Sequence, residues 1–224
     1  MSNEFDRFAD SYDKTLKASF PAGLDEDEFF ARYKIDFVAR ATKARAIASV
    51  LDFGCGAGRS LGFLVNAFPQ ARVVGYDPSP ESIRVAAQRV PQATLSDDWE
   101  RVGQQRFDLA FAANVFHHIA RDQVSPWLAR CADVLAPDGS LFVFEHNPWN
   151  PVTRRVFERC PFDADAAMIP RPELIDLGKA AGLTVKAASF TLFFPKPLKI
   201  LRPIERWLGW LPLGAQYCLE FGRS

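Results

Sequence analysis

The sequence predicts an α/β fold: a doubly wound, mostly parallel seven-stranded sheet with an antiparallel edge strand, preceded by an N-terminal helical lid. Three observations lead there. Short apolar runs alternate with helical patterns from residue 50 onward, as in repeated β–α–β units. The run at 50–53 breaks into glycines at alternate positions, Gly54, Gly56 and Gly58, before the helical pattern Leu61, Leu64, Val65. Acids recur just past later runs, on the edge of such a sheet where ligands bind.

In chain order, residues 4–18 place Phe5, Phe8, Tyr12 and Leu16 at helical spacing, and Pro21 and Gly23 end that helix. A second helix is expected over about 25–46, with Asp25, Glu26, Asp27 and Glu28 at its positive N-terminal end. Strands follow at 50–53 and 72–76, each leading into a helix. Ser79 and Pro80 mark the second of these helices as N-cap and first helical residue. A weak third strand at 93–95 and a fourth at 107–113 precede a helix over 123–135. The turn Pro137-Asp138-Gly139 opens a fifth strand at 140–145. A helix over 173–181 capped by Gly182, a strand at 183–194 and a last edge strand at 216–221 complete the sheet. The organisation is a lid over 1–47 and a ligand-binding domain over 48–224, in which 151–214 holds insertions on the substrate side.

Of 224 residues, 48% are apolar and 24% charged, which suits a chain that buries a full-sized core. Lys+Arg and Asp+Glu number 27 each, so no net field draws the protein to nucleic acid. The polar start Met1-Ser2-Asn3-Glu4 leads into no apolar signal region. No apolar stretch nears the roughly 20 residues of a bilayer span. A cytoplasmic protein without stable membrane insertion is expected. Cys55, Cys131, Cys160 and Cys218 have neither disulfide-framework nor metal-ligand spacing.

A strand, a glycine turn and a helix N-terminus make a nucleotide cradle, because backbone N–H groups there approach a ligand with no Cβ in the way. The dinucleotide fingerprint needs a third glycine where Arg59 stands, which argues against a pyrophosphate. No Gly-Lys-Ser/Thr follows, so the phosphate loop of nucleotide hydrolases is absent too. Asp77, about 20 residues beyond the glycines, is placed to bridge ribose hydroxyls. A nucleoside ligand without phosphates satisfies both facts.

Leu51-Asp52-Phe53-Gly54-Cys55-Gly56-Ala57-Gly58 with Val74-Gly75-Tyr76-Asp77 closely resembles motifs I and II of the class I S-adenosylmethionine-dependent methyltransferases. The resemblance extends through 107–111 and 135–141. Asn114-Val115-Phe116-His117-His118-Ile119 is similar to the corresponding segment of bacterial ubiquinone- and menaquinone-type methyltransferases. It implies a Rossmann-like fold, S-adenosyl-L-methionine as cofactor and S-adenosyl-L-homocysteine as product. It also implies residue roles. Gly54, Gly56 and Gly58 border the methionine and ribose, Asp52 lies near the methionine amino group, and Asp77 takes the ribose hydroxyls. Asp97 or Asp98 meets the adenine amino group, with Trp99 as an apolar ring contact, and Asn114 contacts the methionine end. Tyr12 and Lys34 reach from the lid towards the methionine carboxylate. Taken singly, Asp77 also reads as the start of a turn before Pro78, and Asp98 as a helix cap.

All three histidines, His117, His118 and His146, fall just after the fourth and fifth strands, beside the cofactor. A hydroxyl acceptor needs a base to take its proton, and His146 and His118 are the candidates. Glu145-His146-Asn147-Pro148-Trp149-Asn150-Pro151 reads as a proline-stiffened turn presenting His146, Asn147 and Asn150 to the methyl, with a folding role as its rival. Adjacent residues such as Glu145 and His146 rarely converge on one ion, so no metal is expected. Residues 192–212 mix aromatic and basic side chains: either a cap over a lipid-like acceptor that touches a membrane surface, or an insertion with its apolar side in the core. The expected activity is methyl transfer by direct SN2 displacement to a small-molecule or lipid-like acceptor, oxygen favoured. The alternative is a non-catalytic S-adenosylmethionine-binding scaffold of the same fold.

Overall fold

The computed structural model describes residues 27–224. Tyr12 and the helix expected over 4–18 lie outside the described residues. The first described element is α1 (Asp27–Ala41), then β1 (Ser49–Phe53), α2 (Leu61–Ala67), β2 (Arg72–Tyr76), α3 (Pro80–Arg89), β3 (Thr94–Ser96) and α4 (Trp99–Gly103). The chain continues through β4 (Phe107–Ala113), α5 (Arg121–Asp133), β5 (Leu135–His146), α6 (Pro151–Phe157), α7 (Arg171–Ala180), β6 (Leu183–Thr191) and β7 (Gln216–Arg223). Short 3₁₀ turns follow β4 (Phe116–His118) and α6 (Pro161–Asp163), and a longer kinked one covers Lys196–Trp207.

The sheet order is β3-β2-β1-β4-β5-β7-β6. Strands β1 to β5 pair in parallel, while β7 pairs antiparallel with both β5 and β6. The antiparallel strand therefore sits one in from the edge, not at it as its alternating pattern suggests. An alternating pattern reports which face a strand buries, not which neighbours it finds. Period-two alternation divides the core into two layers. Leu51, Val74, Ala110 and Val143 face one, with Val124 and Leu128 of α5 and Leu174 of α7. Val50, Val73, Leu109 and Phe142 face the other, with Leu61 and Leu64 of α2 and Ala86 of α3. Both faces are covered, which is why these strands are apolar throughout. Helix α1 enters the second layer through Ile35 and Val38, both essentially inaccessible, and Phe37 meets Phe144 edge-on at 5.8 Å.

Two local features depart from the sequence reading. Pro151 does not stiffen a turn. It is the first residue of α6, whose N-cap Asn150 accepts hydrogen bonds from the Val152 and Thr153 N–H groups at 2.9 and 3.0 Å. Asn147 is fully buried, its amide engaged by backbone groups. Its Nδ2 donates to the Pro212 and Gly214 carbonyls at 3.1 and 2.8 Å, and its Oδ1 accepts from Trp149 N–H. The folding role holds for Asn147. Asn147→Ala strands two carbonyls and an N–H, and is expected to lower unfolding free energy by about 2–3 kcal/mol. Urea denaturation should give a lower midpoint at an unchanged slope.

Candidate active site

In the sheet, β1 lies between β2 and β4, so the connections on its two sides diverge and open a crevice at the C-terminal strand edge. Gly54, Asp77, Asn114 and His146 stand at or beside the ends of β1, β2, β4 and β5 on that edge. Because β7 runs the other way, its first residue, Gln216, lies there too, paired with His146. These five residues line one cavity of about 510 Å³, with Lys34, Asp52, His117, His118 and Asp163.

The glycine turn is fixed by close approach. Gly54, Gly56 and Gly58 all have positive φ, at 72°, 50° and 79°. A Cβ on Gly54 would lie 2.5 Å from a methyl of Val115, so only glycine lets the turn meet the loop after β4. Gly54 and Cys55 N–H both donate to the Tyr76 carbonyl, at 2.8 and 2.9 Å, which binds the turn to the end of β2. Gly56 N–H donates to Asp77 Oδ2 at 2.9 Å, and Ser79 N–H to Asp77 Oδ1 at 3.0 Å. Asp77 thus begins the turn before α3 and lines the cavity as well.

Below the turn the wall carries buried charge. Burial raises the Asp52 carboxyl to about 8, with Asp77 adding to it and Lys34 opposing. Burial also lowers Lys34 to about 8, against the pull of Glu145. Asp52 Oδ2 and Gln216 Oε1 are buried acceptors without a donor. Gln216 Nε2 meanwhile donates to Asn114 Oδ1 at 2.9 Å and helps hold Asn114 at its φ of 59°. The sequence marks Gln216 only as the start of the last strand, not as a site residue. Only the pairing of β7 with β5 brings it here, and no local pattern announces that.

The adenine-side assignments look different in three dimensions. Asp97 is exposed, and Asp98 caps α4, accepting from Glu100 N–H at 2.9 Å and pairing with Arg101 at 3.3 Å. Neither lines the cavity, nor does Trp99. Trp99 instead packs behind the wall, 5.0 Å from the Tyr76 ring and 5.4 Å from that of Trp127, centroid to centroid. Pro78, Ile119 and Trp127 are among the apolar residues that reach the cavity on this side, and none has a local signal that marks it.

The histidines gather at the far end. Glu145, fully buried, accepts from Val115 and Phe116 N–H through Oε1 at 3.1 and 2.8 Å, and its Oε2 lies 2.5 Å from His117 Nδ1. Asp163 approaches His117 Nε2 at 3.4 Å and His118 Nε2 at 3.5 Å. Burial works against a charged His117, yet Glu145 and Asp163 outweigh it and raise the imidazole to about 9. Burial and then the His117 charge lower His118 to about 4 and His146 to about 3. His117 is thus the charged member of the trio at neutral pH, and His118 and His146 are neutral. Among the described residues, ligand atoms of His117, His118 and Asp163 lie within 4.8 Å of one another, close enough to share an ion.

Residues 51–141 match the family model of a methyltransferase domain. A ubiquinone biosynthesis O-methyltransferase of Nitrobacter winogradskyi is 35% identical over 116 residues, covering 48% of this chain and 42% of that one. A trans-aconitate 2-methyltransferase of Methylobacterium nodulans is 34% identical over 138 residues, covering 59% and 52%. The chain spans about half the length of the curated relatives it matches. Among solved structures, a magnesium protoporphyrin IX methyltransferase from Synechocystis, with S-adenosylmethionine bound, superposes with a TM-score of 0.64 at 17% identity. That likeness covers 98% of this chain and 94% of the other, and is one of fold.

The His117–Glu145 pair makes stability depend on pH. A folded-state value raised from 6.5 to about 9 contributes stability that is full below about pH 6.5 and lost as pH rises through 9. In chelator-treated Glu145→Gln, an NMR titration of the imidazoles should find His117 well below 9, with the alkaline loss of stability correspondingly smaller. A His117 value that stays near 9 in this variant would contradict the assignment.

Proposed function

We propose that the chain is a class I S-adenosylmethionine-dependent methyltransferase that methylates an oxygen of a small-molecule acceptor, a reading supported by the match of residues 51–141 to a methyltransferase domain. One observation carries the reading: the cavity joins a nucleoside-type cradle to neutral histidines in a single space. The two unpartnered acceptors, Asp52 Oδ2 and Gln216 Oε1, fit the donor's ammonium group. Asp77 accepts the ribose hydroxyls beside the open face of Gly56, where a Cβ would meet nothing within 4 Å. Lys34 offers a cation to the methionine carboxylate, and Pro78, Ile119 and Trp127 offer apolar surface to the adenine.

When bound, S-adenosylmethionine would supply an electrophilic methyl on a sulfonium, open to attack by an acceptor oxygen as the carbon–sulfur bond breaks and S-adenosylhomocysteine leaves. The chain's own part is alignment, exclusion of water and proton removal. Val156, Phe157 and Phe193 give the acceptor end an apolar wall. His146 and His118, neutral near pH 7, are positioned as proton acceptors. Their low values make them weak bases that act only as the oxygen becomes acidic in the transition state. The relatives named for ubiquinone biosynthesis O-methylation and trans-aconitate methylation favour a small molecule and oxygen.

Calorimetry should register S-adenosylmethionine binding to the protein and its marked weakening in Asp77→Ala. With an acceptor in hand, His146→Ala or His118→Ala should lower kcat about 100-fold at saturating acceptor. Near-normal kcat in both would remove the base assignment, and binding without turnover on any acceptor would favour the scaffold.

No helix among the described residues is long and apolar enough to cross a membrane. Residues 192–212 nevertheless support peripheral contact. Their inner side closes the cavity: Glu205 is buried and accepts from Phe194 N–H at 3.0 Å, and Arg202 lies 3.5 Å over the Phe29 ring. Their outer side exposes Ile200 by 85% and Trp210 by 74%, with Lys196, Lys199 and Arg206 interspersed. Co-sedimentation with anionic vesicles should exceed that with neutral ones, and absence of binding to either removes the membrane contact.

A further inference from the structure

We propose that His117, His118 and Asp163 form a site for a divalent transition ion of the zinc type, its open position facing the cavity. The spacing is the first argument. Asp163 Oδ1 stands 3.4 Å from His117 Nε2 and 3.5 Å from His118 Nε2. Strong charge-assisted hydrogen bonds close to about 2.7–2.9 Å. Two ligands about 2.0–2.1 Å from one tetrahedral ion stand roughly 3.3–3.4 Å apart, close to both Asp163–histidine separations, and the three ligand atoms together lie within 4.8 Å of one another.

The support around these ligands is the second argument. Glu145 Oε2 engages His117 Nδ1, which turns Nε2 towards Asp163 and fixes the ring. A carboxylate behind a histidine is the usual outer partner of a bound metal, orienting the ring and raising its basicity. The ligands come from two 3₁₀ turns, Phe116–His118 and Pro161–Asp163, which meet across the cavity wall. Ala167 N–H donates to the His117 carbonyl at 3.1 Å and ties the two segments together. On a helix or strand, adjacent side chains diverge. In this turn the rings of His117 and His118 lie side by side, with centroids 4.1 Å apart.

The donor set is the third. Two imidazoles and one carboxylate match zinc sites that keep a fourth position open. All three residues line the large cavity, so that position is open to an oxygen ligand: water, or the hydroxyl or carboxylate of the acceptor. The acceptor clause rests on the proposed methyl transfer, and with His118 Nε2 holding the ion it leaves His146 as the proton acceptor; the ion site does not rest on that transfer. An ion here displaces the proton on His117, so its affinity rises with pH.

The test is a titration of chelator-treated protein with Co²⁺, followed by Zn²⁺. One equivalent of Co²⁺ should give the intense visible absorption of a four- or five-coordinate ion, and Zn²⁺ should abolish it. Asp163→Asn and His118→Gln should each eliminate that absorption, and Glu145→Gln should weaken affinity roughly 10–100-fold. Circular dichroism on the same samples checks the fold, and His118→Gln, at a partly exposed position, is the variant that best preserves it. Calorimetry with S-adenosylmethionine runs alongside, so saturable Co²⁺ binding without donor binding upholds the site while defeating the methyl-transfer reading. Weak, non-saturating absorption, or an unchanged spectrum in both folded ligand variants, overturns the site.

Discussion

Glu145 ties the working parts of this protein together. It closes β5 with no solvent exposure and takes hydrogen bonds from Val115 N–H, Phe116 N–H and the His117 ring. A carboxylate buried to this degree is held ionised only by such donors, and removing one member leaves charge without compensation. The segment it grips is the one that follows β4. That grip sets Val115 against the glycine turn, where its methyls leave room for Gly54 and nothing larger. It also sets Asn114 in its positive-φ conformation against Gln216. The cradle and the histidine cluster are therefore two consequences of one anchoring interaction.

The same pair sets the protonation pattern of the cavity. Burial first, and then the charge that Glu145 and Asp163 stabilise on His117, push the neighbouring rings of His118 and His146 to the neutral form. At the other end, Asp52 and Lys34 share a buried environment that makes charge costly for both. Asp52 Oδ2 and Gln216 Oε1 on that wall are buried acceptors without a donor, an arrangement that costs stability.

Much of the cradle was legible because its signals are local. Gly54, Gly56 and Gly58 between an apolar run and a helix need only their neighbours to be read, and their positive φ angles follow. Ser79 at the N-cap with Pro80 after it also depends on adjacent residues alone, and its Oγ does accept from Ser82 N–H at 3.1 Å. Asp97, Asp98 and Trp99 fared differently. Two adjacent acids after a short strand look alike in sequence, and the cap geometry of α4 takes one while solvent takes the other. Asn147 and Pro151 likewise read as presenting a site until the capped helix and the two carbonyls of the 212–214 segment appear.

By itself the sequence determined the α/β class, the strand-ending glycines, the acid after β2 and the histidines after β4 and β5, because each follows from periodicity and from residues within a few positions. The tertiary structure alone decided that β7 inserts between β5 and β6, which brings Gln216 opposite His146. It alone brought Asp163 from the turn after α6 to within 3.5 Å of two histidines. Those pairings join segments far apart in the chain. Their energy comes from burial and hydrogen bonding across the assembled sheet edge, which no local pattern of residues encodes.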